Sequence, residues 1–348
     1  MNRRTLLAGM LGAPVAHAAL PEVPRRVLGR TGLSVSVLGV GCAPGAKDPA
    51  LFRRAIDLGV NYFHVGDRDP KFDIEVIRTL QPFRRRVLIG LMTRTVNTTG
   101  ATIDKLVAET GVGTIDVWYL ITPKPEDFSG AAMEALVAAR KAGKIRYIGI
   151  SSHSLKDDAR RVIAQGSPVE VVMMTYNFLS PAEDVENIDR LRAAGIGIVP
   201  MKTMAGGFRL EGTGAPAAIS RWIAGDPRLH CAPVAVDTVA QLEQNVGALT
   251  RKFGDADRDL LRAQKAVASA GFCRMCGTCR GACPRGVPAS DLVRCAMYAD
   301  GYGDVSRARS ELAMLRDPGC GDCAACVVKC PHGVAVPQRV NRARMLVG

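Results

Sequence analysis

The chain has 348 residues, 47% of them hydrophobic, with 36 glycines and no apolar run approaching about 20 residues, a composition that describes a globular protein and excludes a bundle of membrane helices. Its 46 basic against 33 acidic residues give a formal charge of +13, yet only 5% of residues are aromatic and no basic stripe is interleaved with them, so nucleic-acid binding is not expected. The length exceeds an average domain and fits one large α/β domain with a smaller module.

Residues 1–18 place Arg3-Arg4 directly before a short apolar stretch, with Ala16-His17-Ala18 as a small-x-small cleavage pattern. The stretch is too short to span a bilayer. It resembles a twin-arginine signal peptide, which implies a periplasmic or otherwise exported protein that meets the twin-arginine export machinery after folding.

Beyond it, short β-rich runs alternate with amphipathic helical runs. Eight strands are expected, at 35–41, 60–65, 87–93, 115–121, 145–151, 169–177, 196–202 and 231–237, each followed by a helix. Eight βα units over residues 25–250 predict a (β/α)8 TIM barrel, with helices turned by Gly59, Gly143 and Gly195. The basic run Arg84-Arg85-Arg86 reads as a solvated loop. Residues 251–271 read as a charged helical connector.

From 272 to 348 the chain becomes cysteine-punctuated. Cys-x2-Cys-x2-Cys-x3-Cys-Pro occurs at 273, 276, 279, 283 and again at 320, 323, 326, 330, an offset of 47 residues. Three thiolates spaced by two residues can wrap three iron corners of one cubane, while the fourth cysteine, followed by proline, reaches the other cluster. The expected ligand sets are therefore crossed: Cys273, Cys276, Cys279 and Cys330 for one 4Fe-4S cluster, Cys283, Cys320, Cys323 and Cys326 for the other. Zinc sites usually pair two cysteines at one spacing with two at another, so two tight in-register copies favour iron–sulfur over zinc and over disulfides. The 11 Lys/Arg against 6 Asp/Glu from Cys273 onward would balance anionic cluster cores. The segment 291–315 reads as one long helical stretch, so this part resembles the helical ferredoxin domains of respiratory iron–sulfur subunits. Cys42, Cys231 and Cys295 read as buried apolar cysteines.

Several motifs between 25 and 249 carry a second resemblance. They are Arg26-Val27-Leu28-Gly29-Arg30-Thr31-Gly32-Leu33, Gly143-Lys144-Ile145-Arg146-Tyr147-Ile148-Gly149-Ile150-Ser151, Tyr176-Asn177, Pro200-Met201-Lys202 with Gly206-Gly207, and Gln241-Leu242-Glu243-Gln244-Asn245. Together they resemble the aldo-keto reductase family, of which a subset carries a C-terminal ferredoxin-like module. The resemblance implies a carbonyl reductase with an Asp, Tyr, Lys and His at the barrel mouth. All four are replaced: His64 stands at the Asp position, Asp69 at the Tyr, Met92 at the Lys and Ile121 at the His. Hydride transfer needs a proton donor for the developing alkoxide, which Met and Ile cannot supply.

The resemblance also implies NADPH, with Ser151, Asn177 and Asn245 at nucleotide-site positions. Against it, the usual glycine after the eighth strand is replaced around Val236-Asp237, and coupling a hydride to one-electron clusters usually requires a flavin, for which there is no motif. NADPH is possible but is not the favoured cofactor. Strand C-termini should present His64, Asp67, Asp69, Arg94, His153, Tyr176, Asn177 and Lys202 to a small-molecule substrate, with His64 and Asp69 as an acid–base pair and Lys202 with Arg94 holding an anion. The expected protein is an exported iron–sulfur oxidoreductase exchanging single electrons with a partner protein. The alternatives are an NADPH-dependent reductase with rebuilt catalytic residues and a non-catalytic barrel acting as a binding module.

Overall fold

The computed structural model describes residues 20–42, 48–66, 70–121, 125–153, 155–207, 213–320 and 325–347. The expected signal segment, 1–18, lies outside the described residues, as do Asp67, Asp69 and Cys323.

The chain opens with an antiparallel hairpin, β1 (Arg25–Val27) and β2 (Ser34–Ser36). Eight parallel strands follow: β3 (Leu38–Cys42), β4 (Tyr62–Gly66), β5 (Leu88–Thr93), β6 (Ile115–Ile121), β7 (Ile145–Ser152), β8 (Val171–Thr175), β9 (Gly197–Met201) and β10 (Ala232–Val236). They form one sheet in the order β10-β3-β4-β5-β6-β7-β8-β9. The expected strand 35–41 is in fact two elements. Ser36 is the pivot, its backbone N–H donating to Asn61 Oδ1 at 2.7 Å and its hydroxyl to Leu38 O at 2.7 Å, so the hairpin peels away before β3 joins the barrel.

Helices alternate with the strands: α1 (Pro49–Asp57), α2 (Pro70–Leu80), α3 (Gly100–Thr110), α4 (Ala131–Lys141), α5 (Leu155–Val162), α6 (Ala182–Ala193), α7 (Ala215–Gly225) and α8 (Val239–Gly247). Their starts follow from local chemistry. Asp48 accepts from Ala50 N ahead of Pro49, Thr99 from Thr102 N, and Thr238 from Gln241 N, each satisfying an orphan donor of the first turn. The outward faces of the strands, such as Phe63 and Val65 of β4, pack with the helices in one large apolar layer. Inward residues form a separate interior core: Tyr62, Val117, Tyr119, Met173, Val199 and Cys231, floored by Leu28, Leu33 and Val35 from the hairpin.

The seam between β9 and β10 differs from the rest, because it carries no strand ladder among the described residues. Instead His230 N–H donates to Ile198 O at 3.0 Å, and Ile198 N–H donates back to His230 Nδ1 at 2.9 Å. A side-chain nitrogen thus replaces a backbone acceptor at the closing point of the barrel.

Two sequence expectations are corrected here. Arg84 is not a solvated loop residue: its guanidinium sits 2.9 Å from the fully buried Asp116, which also takes Arg146 at 3.0 Å and Ile89 N–H at 2.8 Å. A carboxylate at zero exposure requires such partners, and Arg84 supplies one. Residues 251–271 are more than a connector. Their helix α9 (Asp255–Ser269) lies against α7, with buried Asp257 bonded by Arg221 at 2.9 Å through Nε and by Arg251 at 3.1 Å, and Leu261 joins the barrel's apolar layer.

Beyond it come α10 (Ala289–Asp300), α11 (Val305–Leu312) and α12 (Val336–Arg344). The expected single stretch 291–315 is therefore two helices, broken where Gly303 takes φ +68° and Asp304 caps α11 by accepting from Arg307 N. Both α11 and α12 pack on α10. Asp300 takes Arg339 and Arg342, each at 2.9 Å, while Glu311 takes Arg294 and Arg307, each at 3.0 Å.

Candidate functional site

His64 follows Tyr62 as the next inward side chain of β4. Its ring meets Tyr119 edge-on with centroids 5.9 Å apart, and its Nε2 is buried with no hydrogen-bond partner. Burial pushes its pKa down to about 4, so the imidazole is neutral near pH 7. Below it the Tyr62 and Tyr119 hydroxyls share a 2.6 Å hydrogen bond, both raised by burial and so both protonated. Met92 packs against this interior core, and Ile121 ends β6 in register with Ser151. The two positions that sequence comparison associates with Lys and His are thus apolar in place.

The expected nucleotide-site residues are engaged internally. Ser151 points its hydroxyl at Met201 Sδ, 3.7 Å away. Asn177 is 2% exposed; its Nδ2 donates to Lys202 O at 3.0 Å and its Oδ1 accepts from Leu179 N at 2.9 Å, which fixes the turn after β8. Asn245 accepts from Ser220 Oγ at 3.3 Å, tying α8 to α7. Tyr176 stacks on Trp222 at 5.3 Å and accepts from Arg228 at 3.3 Å; burial holds its hydroxyl up to about 12. Arg94 follows β5, and its carbonyl accepts from the Thr98 hydroxyl at 3.0 Å. His153 follows β7 with a buried, unpartnered Nε2; burial first, then the charges of Lys202, Arg294 and Arg307, hold it neutral. Thr175 Oγ1, at the end of β8, is buried and unpartnered as well.

Four of the C-terminal cysteines line one cavity. Cys273, Cys276 and Cys279 lie on a loop turned by Met275 at φ +58° and Gly277 at φ +79°, and they line one cavity together with Cys330 from the second repeat. These four are free thiols. The backbone N–H groups of Met275 and His332 donate to Cys273 Sγ and Cys330 Sγ, both at 3.4 Å. Burial, with Cys279 and Cys276 adding to it, pushes the Cys273 thiol up to about 11. Burial also raises Cys279, with Cys276 and Cys330 next in effect. Four thiols crowded around one cavity disfavour ionisation of each other unless a cationic core neutralises them, and the amide donors aimed at two sulfurs suit thiolate ligands. The donor set fits an iron–sulfur cluster. Among the described residues no three His, Cys, Asp or Glu side chains are grouped to hold a single metal ion.

Of the second set, Cys283 and Cys326 are half-buried and Cys320 is exposed. Cys231 is fully buried in the barrel interior and Cys295 in α10. The side chain of Cys42 lies outside the described residues.

The cysteine-bearing module sits on the mouth. Ala205, in the loop after β9, is fully buried in the module's apolar core, against which Phe178 and Leu179 of the β8 turn also pack. Gly207 takes φ +70°, and a Cβ there would come within 2.7 Å of Gly301 O, so only glycine lets the two backbones approach this closely. Arg274 reaches Asp184 of α6 at 3.8 Å. Lys202, at φ +57°, aims its Nζ at Met275 Sδ, 3.7 Å away, and Tyr298 OH meets the same sulfur at 3.8 Å. The chain turns left-handed at Lys202, and its ammonium lies beside the module as well as at the end of β9.

Sequence reasoning missed this seating, as well as the Tyr62–Tyr119 pair. The latter was findable, since Tyr62 and His64 alternate inward along β4, and Val117 and Tyr119 along β6. The former carried no periodic signal.

Residues 97–220 match the family model described as "Aldo/keto reductase family". An aldo-keto reductase from Bacillus halodurans, solved in its holo form, superposes with a TM-score of 0.56 at 19% identity, covering 69% of this chain and 96% of that one. One from Klebsiella pneumoniae, solved in complex with NADPH, gives 0.59 at 15% identity over 72% and 96%. The chain shares the barrel fold of these aldo-keto reductases. The likeness covers the barrel and leaves about 30% of the chain outside it.

Proposed function

We propose that the protein is an iron–sulfur oxidoreductase built on an aldo/keto reductase-type barrel, holding two 4Fe-4S clusters and exchanging single electrons between a partner protein and a small molecule at the barrel mouth. The observation that carries this reading is the cavity lined by Cys273, Cys276, Cys279 and Cys330, cysteines from both repeats, directly beside the loop that ends β9. Cys283, Cys320, Cys323 and Cys326 are assigned to the second cluster by the same crossing. A cluster held in the cavity supplies or accepts one electron at a time.

The chain's own residues define what the mouth can do. His64 and His153 present neutral imidazoles whose buried Nε2 atoms lack internal partners, and Thr175 adds an unpartnered hydroxyl. A polar ligand entering there would satisfy groups that are otherwise left at a cost of about 1–3 kcal/mol each. Neutral His64 can donate or accept one proton at Nε2 as a substrate's charge changes. Asp69 remains its proposed acid–base partner. We further place the mature protein outside the cytoplasm by the twin-arginine route, on the strength of Arg3-Arg4 and Ala16-His17-Ala18.

A second reading, an NADPH-dependent reductase, is favoured by the NADPH complex of the Klebsiella pneumoniae protein. The internal bonds of Asn177 and Asn245 weigh against it. Anaerobic titration of the cluster-loaded protein separates the two. Bleaching by dithionite without NADPH binding supports the one-electron reading, and tight NADPH binding or bleaching by NADPH overturns it. Unchanged redox behaviour in both His64→Ala and His153→Ala would favour a barrel that only binds.

A further inference from the structure

We propose that the closed end of the barrel, opposite the mouth, carries a binding site for a small phosphorylated anion, held by Arg25, Arg85 and Arg86. The site is independent of the cysteine module and of the iron–sulfur reading.

The cavity there has a volume of about 370 Å3, large enough for a small molecule. It opens between the hairpin and the strand starts: Arg25 comes from β1, Ser34 from β2, Asn61 from the residue before β4, and Arg85 and Arg86 from the turn that leads into β5. Its described lining contains no Asp or Glu.

The arginines of this region divide between structural and exposed roles. Along β1 successive side chains point to opposite faces. Arg26 donates to the carbonyls of Ala224 at 2.6 Å and Asp226 at 2.7 Å, whereas Arg25 is exposed at the cavity. In the run Arg84-Arg85-Arg86 the first pairs with buried Asp116, and the next two line the cavity. Arg86 is fixed by donating to Ile56 O at 3.3 Å; it reaches Asp57 at 3.8 Å, but both side chains of that pair are exposed, so the charge is little neutralised. Arg25 and Arg85 meet no carboxylate among the described residues.

Three guanidiniums around one concavity repel one another, and an anion between them turns that repulsion into attraction. Their planar forks match phosphate oxygens, and a group carrying several negative charges answers three cations better than a single carboxylate does. Asn61 adds polarity without mobility, because its Nδ2 donates to Ser34 O at 2.7 Å and its Oδ1 accepts from Ser36 N at 2.7 Å. No His, Cys, Asp or Glu lines the cavity to act as a general base, so the ligand is bound there and not converted. Barrel chemistry belongs to the strand C-termini, at the other end.

Calorimetric titration of the full-length protein with inorganic pyrophosphate tests the site in three forms. They are wild type, Arg25→Gln/Arg85→Gln, and the control Arg53→Gln/Arg160→Gln, which removes two exposed charges from α1 and α5. Saturable binding by wild type, weakened about tenfold or more in the first variant and unchanged in the control, is the expected result. No saturable binding to wild type, undiminished affinity in the first variant, or an equal loss in the control would each overturn the site, the last by showing that net charge alone attracts the anion. Citrate distinguishes the ligand classes: a tricarboxylate bound as tightly as pyrophosphate overturns the phosphate assignment. A measurement on the wild type alone guards against a variant that fails to fold. Pyrophosphate should protect Arg25 and Arg85 from a dicarbonyl that modifies guanidiniums, as read by peptide mass mapping, and equal modification with and without it counts against the site.

Discussion

His230 and Ile198 exchange two hydrogen bonds across the β9–β10 seam, one through the histidine backbone at 3.0 Å and one through its Nδ1 at 2.9 Å. The second bond needs an unprotonated Nδ1, and burial holds the His230 pKa down to about 4. His230→Ala leaves the Ile198 amide without its acceptor. The expected loss is about 1–3 kcal/mol, read from urea or thermal unfolding. A variant as stable as wild type would mean that the seam is held by packing alone.

Acid sensitivity follows from the same chemistry. His64 and His230 both titrate near 4 in the fold against about 6.5 unfolded, so below 6.5 the unfolded chain takes up protons that the folded chain refuses. Their contribution to stability is complete above pH 6.5 and declines as pH falls toward 4. The slope should reach about 1.4 kcal/mol per pH unit for each histidine. Unfolding measured between pH 7 and pH 4 in wild type and His64→Gln checks it, the variant showing the shallower decline.

The Tyr62–Tyr119 hydroxyl pair is sealed inside the barrel, so its two members depend on each other. Tyr119→Phe strands the Tyr62 hydroxyl and should cost about 1–3 kcal/mol. The double variant Tyr62→Phe/Tyr119→Phe removes both polar groups and should lose less than the sum of the single variants. A double-mutant cycle in chemical denaturation reads the coupling directly.

Asp257 is 1% exposed and takes Arg221 and Arg251. Asp257→Ala leaves Arg221, itself buried, with an uncompensated charge, and the expected cost is about 3–5 kcal/mol. Because the pair joins α9 to α7, hydrogen exchange along α9 should rise with it.

Crossed ligation makes a prediction that uncrossed ligation does not. Cys330→Ser, in the second repeat, should alter the same EPR signal as Cys273→Ser, while Cys283→Ser should alter the other. Pairing of Cys330 with Cys320 in the mutant spectra would reverse the assignment.

The barrel was legible in the sequence because its signal is periodic. Apolar runs such as 115–121 recur with helices between them, and Gly59, Gly143 and Gly195 take the left-handed turns their positions suggest. The cysteine repeat was legible through spacing, and Cys330 lines the same cavity as Cys273. What escaped reading depends on three-dimensional neighbours. Arg84 looks solvated in its basic run until the fold sets Asp116 beside it. The left-handed backbone at Lys202, which sets its Nζ 3.7 Å from Met275 Sδ, is invisible to composition. The seam role of His230 has no pattern at all, since one imidazole does the work that a ladder does elsewhere.

The burial of Ala205 among module residues carries a consequence for dissecting the protein. Gly271 marks a change in sequence texture, but packing runs straight across it: Ala205, Phe178 and Leu179 belong to the barrel in chain order and pack with the module's core. Cutting there would give a barrel whose rim shows apolar groups to water and a cysteine-rich remnant missing part of its interior. The two halves are better regarded as one cooperative body with two chemistries than as cassettes to be exchanged.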